Sequence, residues 1–177
     1  MKLGYRYVFA TLISMLLVGC GAGTDLRFPA SLGKSRDVTE ASLEQRKYCR
    51  HEPRRMQSQS YVRCKTKGFS LGESWLVVDY NDSQDVVRVR RMEHYATHEE
   101  ATKRWNALVA ERSEELGAES QEGRDIMAQL GEAPAGSVAW KVWRRGDAGN
   151  LSAIYLVKPD AADDPNVVEV LRRDTSP

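Results

Sequence analysis

Hydrophobic and polar positions alternate most clearly between residues 74 and 95. Two β-rich arms, 74–80 and 85–95, flank Asn81-Asp82-Ser83-Gln84, whose side chains favour turns, so the stretch predicts a hairpin. A four-residue loop would set Val78 opposite Val87 and Leu76 opposite Val89 on an apolar face, with Trp75 and Val77 opposite Arg90 and Arg88 on a mixed one. The period then changes. Thr97-His98-Glu99-Glu100 fits a capping box, and Ala101, Trp105, Leu108, Val109 and Leu116 follow at helical spacing up to Gly117. A long amphipathic helix over 97–116 is predicted, with Glu99 and Lys103, and Glu100 and Arg104, one turn apart on its wet side.

Around these two elements the signals are shorter. Asp37 with Glu40 would cap a short helix through Tyr48, 61–67 reads as a polar strand, and Ile126, Met127 and Leu130 suggest one more helical piece. Strands over 137–145, 151–158 and 166–173 close the chain. The expected order is β-β-β-α-β-β-β with short helical pieces, an α+β fold in which the long helix lies on one face of an antiparallel sheet. Residues 151–157 are apolar at nearly every position, as in a strand covered on both sides, and one helix covers one side. Either 37–61 folds over the second face, or part of it, with Trp75 and Trp143, is left for a partner.

The N-terminus decides where this fold works. Lys2 and Arg6 precede an uncharged apolar run over 7–18, too short for a spanning helix of about 20 residues and suited to an export signal. Leu17-Val18-Gly19-Cys20 resembles the lipobox of bacterial lipoproteins. The resemblance covers residues 1–20 and implies cleavage before Cys20 by signal peptidase II, a diacylglyceryl thioether on Cys20, and an acylated new N-terminus, with palmitate among the chains. Gly21 in place of Asp resembles lipoproteins sent to the outer membrane in enterobacteria, which implies a periplasm-facing anchor there. The expected organisation is a signal peptide over 1–19, a lipidated Cys20 and flexible tether over 20–37, and a single domain over 38–177.

Export changes the meaning of the cysteines. With Cys20 lipidated, Cys49 and Cys64 remain, and an oxidising envelope would join them in a disulfide. Charge narrows the partners. Without Lys2 and Arg6 the mature chain has 24 basic residues against 25 acidic ones, which argues against nucleic acid.

Several patterns touch on catalysis. Gly68-Phe69-Ser70-Leu71-Gly72 matches Gly-x-Ser-x-Gly, but a strand and not a helix follows it, so a glycine-rich turn is the better reading and Ser70 a weak nucleophile candidate. His94 and His98 have a zinc-like spacing but straddle a strand end and a helix start. Asp160, Asp163 and Asp164 lack the ligand spacing of a calcium loop. No catalytic, metal or cofactor residue is therefore assigned. Arg54-Arg55, Arg90-Arg91, Arg144-Arg145 and Arg172-Arg173 recur as doublets, three of them near strand ends, and would suit lipid phosphates or an acidic partner if gathered. The expectation is a membrane-anchored, non-enzymatic protein that binds an envelope protein through Trp75, Arg88, Arg90, Trp143 and Arg145, as an assembly accessory or an inhibitor or immunity-type protein. The alternatives are a carrier of a small ligand or lipid, with a cavity between sheet and long helix, and a serine hydrolase using Ser70.

Overall fold

A computed structural model describes residues 32–64, 74–145, 149–161 and 164–173. The lipobox with Cys20, most of the tether, the turn holding Ser70, and Asp163 lie outside the described residues. Among the described residues the fold is α+β, with one antiparallel seven-stranded sheet and three helices. Its elements run α1 (Arg36–Gln45), β1 (Tyr48–Arg50), β2 (Ser58–Arg63), β3 (Ser74–Tyr80), β4 (Val86–Glu93), α2 (His98–Leu116), α3 (Gln121–Gln129), β5 (Ser137–Arg145), β6 (Asn150–Val157) and β7 (Val167–Arg172). This corrects the expected order: a three-residue strand absent from it, β1, pairs with β2, while the short helical pieces expected after Asp37 and around Ile126 are full helices, α1 and α3, beside the long α2. The spatial order β1-β2-β3-β4-β7-β6-β5 joins two meanders through their last strands.

Strand register fixes which side chains share a face. Val78 lies opposite Val89 and Leu76 opposite Arg91, two residues beyond the expected pairing. The cause is the turn. Asn81 Oδ1 accepts the Asp85 amide at 2.8 Å, Gln84 adopts φ +62°, and a bulge follows Asp79, so the connection consumes two more residues than a plain four-residue loop. An even shift leaves the faces as expected, with Trp75, Val77, Arg88 and Arg90 on one side. Arg91 moves opposite Leu76, onto the apolar side.

We call that apolar side the front. Leu43 of α1 packs there on Leu76, Val78, Tyr80 and Val89, and α2 packs there on Trp143, Ile154, Leu156 and Val167. Ser35, not Asp37, occupies the α1 N-cap, and the preceding chain is held to the sheet by a Gly33 amide bond to the Val86 carbonyl at 2.7 Å. Thr97 Oγ1 accepts the Glu100 amide at the start of α2, and Gly117, at φ +79°, ends it. The expected stripe of Ala101, Trp105, Leu108, Val109 and Leu116 faces the sheet, joined by the buried Arg112.

The back face is covered differently. Ser120 Oγ accepts the Gly123 amide at 3.0 Å and starts α3, whose Ile126 and Met127 pack on Val142, Ala153, Tyr155 and Val170. A Cβ on Gly123 would lie 3.0 Å from Val142 Cγ1, so glycine lets this short helix settle close to β5. Among the described residues, the helix side chains of the three core groups thus cover the front face at both ends and the back face over β5–β7. Among the described residues, no helix is long and apolar enough to cross a membrane.

Candidate functional site in the half-covered back face

On the back face of β2, β3 and β4 the sheet carries three rows. The first runs Ser58, Asp79, Arg88 and on to Arg172 of β7; the next Ser60, Val77 and Arg90; the third Val62, Trp75 and Met92. Polarity therefore grades from charged to apolar along the strands. In the charged row Asp79 accepts from Ser58 Oγ at 2.6 Å, from Arg88 Nε, and from Arg90 Nη2 at 3.2 Å. Glu132, just past α3, accepts both Arg88 Nη1 bonds, at 2.8 and 2.6 Å, and is also bonded by Arg172 Nη1. Its amide is tied to the Met127 carbonyl, so one carboxylate fastens the end of α3 to the open half of the sheet.

Among the described residues, three guanidinium groups meet two carboxylates here. Burial lowers the Arg90 pKa, Asp79 opposes that shift, and the neighbouring Arg88 charge adds to it. Arg90 Nε is buried with no hydrogen-bond partner among the described residues. Arg88 and Arg90 each keep 27 % of their side-chain surface in solvent, and Val77 and Met92 are half-buried beside them. The surface can pair with an acidic group and an apolar one side by side. Among the described residues, no three His, Cys, Asp or Glu side chains gather so as to hold a metal ion.

The five residues expected to form one binding face are divided by the sheet. Trp75, Arg88 and Arg90 share the back face, whereas Trp143 and Arg145 fall on the front. Trp143 is 1 % exposed beneath α2, with its indole N–H donating to the Gly117 carbonyl at 3.2 Å, and Trp75 is 7 % exposed. Neither tryptophan is open surface. Arg145 pairs with Glu115 of α2 at 2.9 Å. The doublets behave alike: alternation sends Arg90 to the back and Arg91 to the front, where Arg91 lies between Glu93 at 3.0 Å and Glu169 at 2.7 Å. Asp79 and Glu132 belong to the cluster and carry no sequence signal for it, whereas Arg172 stands in one of the doublets. Asp79 would have been found from the true register, while Glu132 sits in a loop with no periodic signal. The cysteines answer as expected, with Cys49 and Cys64 in a disulfide, Cα atoms 5.0 Å apart. Comparison with known protein families, with curated proteins and with solved structures returned no match.

Proposed function

We propose that this chain is a lipid-anchored cell-envelope lipoprotein, tethered through Cys20 at the periplasmic side of the outer membrane, that binds another envelope protein and catalyses no reaction. The binding surface is the back face of β2, β3 and β4, with Arg88, Arg90, Val77 and Met92 at its centre. One observation carries this reading: among the described residues α3 covers the β5–β7 half of that face, and the other half presents the part-exposed Arg88 and Arg90 beside the half-buried Val77 and Met92. An interface core of this kind, an arginine flanked by aliphatic groups, suits a partner surface with a carboxylate beside an apolar residue. An assembly accessory and an inhibitor or immunity-type protein would both use such a surface, and the partner's identity separates them.

Photo-crosslinking in intact cells tests the surface with the full chain. A photoreactive amino acid replacing Val77 should yield one discrete crosslinked protein, and the same group replacing Val38, 56 % exposed on α1, should not. Equal products from both positions, or none from 77, would overturn the assignment. Changing Cys20 to Ala should abolish the N-terminal lipopeptide seen by mass spectrometry and leave residues 1–19 uncleaved; an unmodified chain without a lipopeptide would sink the anchor.

A further inference from the structure

We infer that a second site, at the junction of β4, α2 and the β6–β7 connection, binds a small monocarboxylate with an apolar tail. A cavity of about 700 Å³ opens there, within the range of small-molecule sites, about 300 to 1,000 Å³. Tyr95, Ala96, Val138 and Pro159 give it apolar walls, and Val138 is 56 % exposed although it begins a strand. Its charged character has one sign. His94, His98 and Lys158 line it from three elements, and none of its described lining residues is acidic.

The floor is built before any ligand arrives. Asn166, 3 % exposed, donates its side-chain amide to the Tyr95 carbonyl at 2.8 Å and accepts the Tyr95 amide at 3.0 Å, while its own amide bonds the Glu93 carbonyl at 3.0 Å. This clamp fixes the connection that carries His94 and His98. His94 Nδ1 lies 2.9 Å from the Asp164 carbonyl oxygen, which only accepts, so Nδ1 holds the proton, and Nε2 would donate to a carboxylate only in the imidazolium form. The Lys158 ammonium beside apolar walls favours an anion whose body is apolar; a neutral or cationic amphiphile of equal length lacks the charge match. The site is separate from the back-face partner surface and does not depend on it.

The test uses chain-matched octanoate, octanol and octylamine against the full chain in phosphatidylcholine nanodiscs, by saturation-transfer NMR with empty discs subtracted. Octanoate should bind saturably and at least ten-fold more tightly than the other two. His98→Glu with Lys158→Glu, both at exposed positions, should weaken octanoate at least ten-fold and make octylamine the preferred ligand. Val138→Asp should weaken octanoate and octanol together. Equal binding of octanoate and octanol, or octanoate binding unchanged by the charge reversal, would overturn the inference, as would no saturable octanoate signal.

Discussion

Glu169 is the residue on which the interior depends most. It is fully buried on the front face and holds two guanidinium groups: Arg112 Nε and Nη2 donate to its Oε1 at 2.8 and 2.6 Å, and Arg91 Nη2 lies 2.7 Å from its Oε2. The pairing continues outward, from Arg91 to Glu93, from Glu93 to Arg104 of α2, and from Arg112 to Glu115. Such a chain is stable only while each charge keeps its partner, since desolvation is offset by mutual attraction and hydrogen bonds. Changing Glu169 to Ala removes the carboxylate shared by two buried cations and leaves each with its outer partner, Glu93 for Arg91 and Glu115 for Arg112. We expect a loss of about 3–5 kcal/mol in urea unfolding, the range for breaking a buried pair. A loss below about 1 kcal/mol would mean that α2 does not rely on this contact. Neither Arg112 nor Glu169 stands out in the sequence as a core residue, because hydrophobic periodicity passes over charged side chains. Arg112 nevertheless sits four residues after Leu108, on the same helix face.

At the scale of elements, α1, β1 and β2 form a unit that the sequence outlined only in part. Leu43 gives α1 a single fully buried apolar anchor, and much of the rest is polar. Arg36, 2 % exposed, bonds Glu40 at 2.9 Å, Gln84 at 3.1 Å and Gln59 at 3.2 Å, and lies over the Tyr80 ring. The disulfide fastens the three-residue β1 to the end of β2, closing a loop with a sequence separation of 15. Reduction should therefore lower stability by about 3 kcal/mol in the chain-entropy picture. It should also speed hydrogen exchange in β1 before β6, measurable with and without reductant. An unchanged unfolding midpoint after complete reduction would refute this. The disulfide was legible because export and two leftover cysteines leave one pairing; β1 was not, because three residues carry no period and its pairing is fixed by Tyr61, Val62 and Arg63 across the sheet. α2 and the three late strands were legible for the opposite reason, being long enough for their periodicity to show. The binding face was read with the right parity along β3 and β4 but extended wrongly to Trp143, since which face of β5 continues that of β3 depends on strand order, which no local pattern encodes.

For the whole molecule, these buried acids make folding sensitive to acid. Burial alone would raise the Glu93 pKa, but the Arg104 hydrogen bond, the charges of Arg91 and Arg104 and the Tyr95 hydroxyl outweigh it, and its pKa is lowered. Glu40 is lowered too: burial raises it, and the hydrogen bonds from Arg36 and Tyr61 with nearby positive charge prevail. A carboxyl with a lower pKa when folded binds its proton more readily when unfolded. Its stabilisation is therefore fully present above the unfolded value of about 4.3 and disappears as pH falls through the lower folded value. Tyr95 titrates far from this window, its pKa being pushed up to about 12 by burial and then by its bond to Glu93. Thermal melts between pH 7 and pH 3 should accordingly show a nearly constant midpoint at the upper end and a steep fall below about pH 4.5. Glu93→Gln keeps the side chain's shape and removes its titration, so that variant should be less stable at pH 7 and should lose less on acidification. If both chains fall with the same slope, Glu93 does not couple folding to protons, and the acid sensitivity must be carried by Glu40 at the α1 end of the sheet.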